Sequence, residues 1–274
     1  MSSAESTQAR PPVDIARSVE QLGVAKATAS PITLLTLAVL AGAFISLGAL
    51  FFTVVVAGSD AGVGPIRLLG GVAFCLGLVL VVVAGAELFT GNNLVAMAWA
   101  SGLVPTSSLW RHWSIVYLGN VVGCVVTAIF VVVSDVDALG DGRVGATAIA
   151  IGHAKAQLGA VEAFTRGVLC NALVCLAVWL AMGGRTVTDK ILAVLFPIAG
   201  FVTMGFEHCI ANWFFLPYAL GLDAAISISD VAGNLVWVSL GNLVGGTLLV
   251  AGVYWLAYLR PETNRVGATP TSGR

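Results

Sequence analysis

The chain has 274 residues and a formal net charge of −1; 58% of its residues are hydrophobic and 10% charged, with a mean hydropathy of +0.96. Ordinary soluble domains run at about 45–50% apolar and about 25% charged. A soluble domain and a nucleic-acid partner are thereby excluded, and an all-α integral membrane protein with the lipid bilayer as solvent is expected.

Residues 1–30 are polar and lack the apolar core of a secretory signal, so a cytoplasmic N-terminal segment is expected. Within it Ile15, Val19 and Leu22 share one helical face, with Arg17, Glu20 and Lys26 elsewhere, which predicts a short amphipathic helix on the membrane surface. Ser30-Pro31 supplies an N-cap and a first helical position. Six apolar stretches follow, near 32–57, 68–100, 113–133, 161–182, 191–221 and 233–259. Each is about as long as the ~20 residues a crossing needs. Residues 31–260 are read as one membrane domain and 261–274 as a disordered cytoplasmic tail. The five cysteines lie in apolar stretches without C-x-x-C and read as small buried hydrophobes. His112 and His153 are expected in loops or at helix ends, so neither a metal site nor a cofactor is expected.

Lys and Arg set the orientation. With the N-terminus inside, nine of these residues (Arg10, Arg17, Lys26, Arg111, Arg185, Lys190, Arg260, Arg265, Arg274) fall in inner segments and four (Arg67, Arg143, Lys155, Arg166) on the other side. Both termini are therefore expected in the cytoplasm and residues 134–160 outside.

The chain repeats itself. "GAELFTGNN" (85–93) and "GFEHCIANW" (205–213) share G-x-E-x-x-x-x-N at an offset of 120, and "LGNVVG" (118–123) and "LGNLVG" (240–245) share L-G-N-x-V-G at an offset of 122. Two halves of three helices follow, and because three is odd the second half enters the membrane from the opposite side. Both acidic motifs lie at membrane depth, where non-helical backbone must be buried in protein or line a cavity. Gly85, Gly91 and Gly205 favour breaks in the second and fifth helices. Glu87, Asn92, Glu207 and Asn212 then either cap and brace the broken ends or contact a substrate directly. Opposite Leu88 of the first motif stands His208 of the second, an ionisable group at membrane depth and so a candidate pore residue. Thr90 meets His208 if the two breaks face each other.

These motifs, with "RGVLCNALVCLAVWLA" (166–181), resemble the formate/nitrite transporter family over about Ile32 to Arg260. The resemblance implies an aquaporin-like architecture with six spans, an inverted 3+3 repeat, and a homopentamer in the cell inner membrane with one pore per protomer. It implies small monovalent anions as cargo: formate, nitrite or hydrosulfide. By motif, His208 is the central pore histidine and Thr90 its partner. Leu88, Phe89 and Val174 match a cytoplasmic constriction; Phe74, Leu78 and Phe201 match a periplasmic one. Lys155 and Asn171 match a polar pair that draws anions in, and Asn242 a pore-facing amide. The short connection after Pro217 and "NLVWVSLGN" read more like the nitrite-type branch, so the three anions stand as alternatives.

A dry ion between two apolar gates faces an idealised cost on the order of tens of kcal/mol. Protonating a carboxylate of pKa ~4 at pH ~7 costs roughly 4 kcal/mol. Neutralisation near His208 is the less costly route. Two rivals belong to other classes. A membrane enzyme using Glu207 and His208 lacks H-E-x-x-H and any nucleotide fingerprint, and a neutral-solute pore of aquaporin type lacks Asn-Pro-Ala.

Overall fold

In hydrocarbon every backbone N–H and C=O must find a partner inside the protein, and apolar sequences of this length satisfy that only as helices. The computed structural model describes residues 8–59, 63–222 and 224–260. The expected tail, 261–274, lies outside them. Helix α1 (Pro12–Thr28) precedes α2 (Pro31–Val56), which Ser30 caps by accepting from the Thr33 N–H at 3.2 Å. Helix α3 (Pro65–Val79) runs on through a π turn (Leu80–Gly85), and the chain restarts as a 3-10 turn (Gly91–Val95) and α4 (Ala96–Ala100). Helices α5 (Thr106–Val133), α6 (Arg143–Ala156) and α7 (Ala160–Gly183) follow. Helices α8 (Val187–Thr203) and α9 (Cys209–Gly221) come next; α10 (Ile228–Val244) then continues through a π turn (Gly245–Gly252) into α11 (Val253–Tyr258).

Among the described residues five helices are long and apolar enough to cross a membrane. The fifth expected stretch, 191–221, is broken as expected, into two half-length helices, α8 of 17 residues and α9 of 13. Two expectations are corrected. The third span starts at Thr106 rather than near 113, because Pro105 sets its start and the polar run Arg111-His112 is carried inside the helix. His112 therefore lies in a helix, fully buried, not in a loop. Residues 143–156, in the segment expected outside, form α6, whose buried positions Val144, Gly145, Ala148, Gly152 and Ala156 are too small to give a strong apolar signal. Helix α1 does present an apolar face, but Ile15, Ala16, Val19 and Ala27 are buried against the protein, while Leu22 is 39% exposed.

Helix α2 packs on α5 and α3, and α7 on α10 and α8; α3 meets α8, and α5 meets α9, across the halves. Lipid tails give no hydrophobic drive between helices, so close approach at small residues carries these crossings. The glycines of the L-G-N-x-V-G motif provide it. A β-carbon at Gly123 would overlap the Val39 carbonyl oxygen on α2, and one at Gly245 the Val168 carbonyl oxygen on α7. Gly123→Val is expected to part α2 from α5, at a cost of about 1–3 kcal/mol or more, read as loss of the monodisperse peak in gel filtration. An unchanged peak would show that the crossing tolerates the methyls.

Candidate functional site

Both helix breaks turn at a glycine in the left-handed region, Gly85 (φ 86°) and Gly205 (φ 72°), where a side chain is strained. Each break is held in the same way. The Glu87 carboxylate accepts from Asn92 Nδ2 at 2.6 Å and from Lys26 Nζ at 2.8 Å. The Glu207 carboxylate accepts from Asn212 Nδ2 at 2.7 Å and from Lys155 Nζ at 3.0 Å on both oxygens. Asn120 donates to the Ala38 and Glu87 carbonyls (2.7 and 2.9 Å) and accepts from the Phe89 N–H (2.8 Å). Asn242 donates to the Gly167 and Glu207 carbonyls (2.8 and 2.9 Å) and accepts from the Cys209 N–H (2.9 Å). The asparagine of each L-G-N motif thus satisfies two backbone groups that its broken helix leaves over and ties them to a carbonyl of the neighbouring helix, Ala38 of α2 or Gly167 of α7. Asn242 is buried, with all three of its hydrogen bonds made to backbone.

Sequence reasoning missed Asn120, Lys26 and α6. The shared Asn of L-G-N was the available signal. Lys26 and Lys155 are also matched, each five residues before the first residue of α2 or α7, but at an offset of 129 rather than 120. That shift, which comes from a different loop length, hides them from an alignment of the acidic motifs.

His208 and Thr90 meet where the two breaks face each other: Nε2 lies 3.0 Å from Thr90 Oγ1, and both residues are buried. His208 is also the N-cap of α9, its Nδ1 accepting from the Ala211 N–H at 3.0 Å. An amide can only donate, so Nδ1 is the acceptor and the imidazole proton sits on Nε2, aimed at Thr90. The matching position in the first half, Leu88, has no polar group to play this part.

Two cavities approach this pair. The one on the side expected to face outward, named the outer cavity for that reason, has about 250 Å³ and is lined by Phe74, Phe201, Lys155, Glu207 and His208. An inner one of about 350 Å³ is lined by Leu78, Leu88, Lys26 and Glu87. Thr90 lies between them and lines neither. The Phe74 and Phe201 rings meet edge to face, 5.7 Å apart, and Phe201 stacks beside the His208 ring at 5.9 Å. Other expected site residues sit elsewhere. Leu78 belongs to the inner cavity, not the outer one. Val174 is buried and lines neither cavity. Phe89 packs its ring 5.0 Å from Tyr117, in a groove with Trp110 and Trp113 on a different face. Lys155 and Asn171 do not form a pair. Lys155 stands over the Phe215 ring in the outer cavity, whereas Asn171 is buried and donates to the Thr90 and Asn242 carbonyls and to Asn93.

The family described as formate/nitrite transporter matches residues 13–256. The formate channel FocA of Escherichia coli strain K12 is 35% identical over 269 residues, covering 91% of this chain and 94% of that one. Among solved structures, a pentameric formate channel with formate bound is 38% identical and superposes with a TM-score of 0.78 over 84% of this chain and 98% of that one. An ion channel of the same family, 28% identical, superposes with a TM-score of 0.82 over 89% of this chain and 98% of that one. A break pair held by matched Glu, Asn and Lys side chains, a buried Thr90–His208 contact where the breaks face each other, and this likeness over nearly the whole length agree: the chain belongs to the formate/nitrite transporter family.

Proposed function

We propose that the protein is a homopentameric channel of the inner membrane that passes small monovalent anions of weak acids, formate first, through one pore in each protomer. Formate and the pentamer come from the relatives. The observation that carries the reading is the Thr90–His208 contact between two cavities walled off by Phe74, Phe201, Leu78 and Leu88. The anion is neutralised there. Nε2–H points to Thr90, whose own hydroxyl proton is left to donate to the passing anion. Transfer along this chain needs a proton taken up at Nδ1, which releases the Ala211 amide. Nε2 then gives its proton to Thr90, the Thr90 proton goes to the anion, and a neutral acid leaves. The reverse tautomer shift resets the ring.

Reconstituted protein is expected to carry formate and to leave sulfate behind, since one proton does not neutralise a dianion. Sulfate flux comparable with formate flux overturns the proposal. Orientation is tested separately. Gly142 is exposed at the start of α6. With the native cysteines removed, Gly142→Cys is expected to react with an impermeant thiol reagent in intact cells; labelling only after lysis puts α6 inside.

A further inference from the structure

The outer cavity holds more positive charge than its break needs. Arg67, Lys155 and Arg166 line it, against the single carboxylate of Glu207, which Lys155 already occupies. Arg166 pairs with Glu162 at the mouth, with both side chains partly exposed at 40% and 47%. Among the described residues Arg67 makes no ion pair. Its Nε donates to the Val202 and Thr203 carbonyls at 3.3 and 3.0 Å, which fixes the guanidinium at the end of α8 and leaves its outer nitrogens free. The two guanidiniums lie close together beside Gly205, whose carbonyl accepts from Arg166 Nη1 at 3.4 Å. A β-carbon at Gly205 would stand 3.2 Å from Arg67 Nη2 and 4.0 Å from Arg166 Nη1. Like charges brought together in a half-buried cleft repel unless an anion joins them.

The repeat shows that the architecture does not require an arginine at 166. Its carbonyl accepts from the Glu207 N–H at 3.3 Å, as the Leu37 carbonyl accepts from the Glu87 N–H at 3.2 Å in the first half. The Glu207 and Glu87 amides are thus held by backbone in both halves; in the second half Arg166 Nη1 adds its bond to the Gly205 carbonyl, whereas the matching residue of the first half is a leucine that lines the inner cavity. The Arg166 guanidinium is therefore an addition confined to the outer cavity, on the approach to His208.

We propose that Arg67 and Arg166 form a docking site in the outer cavity for a planar two-oxygen anion of the carboxylate or nitrite type, and that they set its preference over hydrosulfide. A guanidinium offers parallel N–H groups that match two oxygens; an ammonium acts as a point charge. Hydrosulfide, with one accepting atom, gains little from the fork. The inference rests on the transport reading above and adds the selectivity determinant.

The test is flux in proteoliposomes, with formate and hydrosulfide as separate probes and the half-saturating concentration of each as the readout. Arg67→Lys and Arg166→Lys keep the charge and remove the fork. Each is expected to raise the value for formate about tenfold, while the value for hydrosulfide moves by less than about twofold. Arg166→Leu, which installs the residue of the matching inner position, is expected to weaken both anions, because charge is lost as well. Equal shifts for the two anions in the lysine variants, or no shift for either, overturn the site while leaving the channel reading intact. Unmodified protein that carries neither anion overturns both.

Discussion

His208→Asn is expected to cut formate uptake driven by an inward proton gradient by about a hundredfold or more, the scale of losing a positioned proton-transfer group. Asparagine is among the best N-cap residues, so the α9 N-terminus keeps an acceptor for its free amides. The fold is held elsewhere, by Glu207, Asn212 and Asn242, none of which the substitution touches. Gel filtration should therefore show the same assembly as the unmodified protein. Downhill flux of the anion survives in part, because a polar side chain still faces Thr90. The comparison is made at matched protein density, with the gradient imposed and then collapsed by a protonophore. Proton-driven uptake equal to that of the unmodified protein would make His208 a cap and a packing residue only.

The second large effect belongs to a residue that touches no cavity. Asn242→Leu removes the side chain that satisfies the Gly167 carbonyl, the Glu207 carbonyl and the Cys209 N–H in a buried site. The Gly167 carbonyl lies inside α7, but the Glu207 carbonyl and the Cys209 N–H are orphaned at about 1–3 kcal/mol each, so the loss amounts to several kcal/mol for each protomer. With a shift of roughly 2–4 °C per kcal/mol for chains of this size, the thermal midpoint in detergent should fall by about 10 °C or more. Asn120→Leu strips the Ala38 and Glu87 carbonyls and the Phe89 N–H, and should do the same at the other break. Midpoints within about 2 °C of the unmodified protein would show that neither break depends on its asparagine.

The paired breaks were legible in the sequence because their requirements are local. A left-handed turn needs Gly85 or Gly205, and a stranded helix end at membrane depth needs a carboxylate and an amide five residues apart, as in Glu87–Asn92 and Glu207–Asn212. The Thr90–His208 contact was legible from the repeat, since facing breaks bring those two positions together. What escaped was long-range. Asn120 reads as a lone amide in a greasy helix until its carbonyl partners are placed 33 and 82 residues away. Lys26 reads as a solvated charge on a surface helix until α1 folds under the first break and delivers it to Glu87. The side of a pore on which Leu78 or Phe89 falls depends on helix rotation, which hydropathy does not encode when both faces of a helix are apolar. Helix α6 was hidden by its glycines and alanines, which pack well and score weakly.

On the proposed route the anion crosses as a neutral acid formed at His208. Vesicles containing the protein, with a pH dye and a potential-sensitive dye inside, are given an inward formate gradient and compared with protein-free vesicles. Protein-dependent acidification of the lumen in step with formate entry, with no formate diffusion potential, is expected. A diffusion potential without acidification would show the bare anion crossing, and would contradict the proposed route.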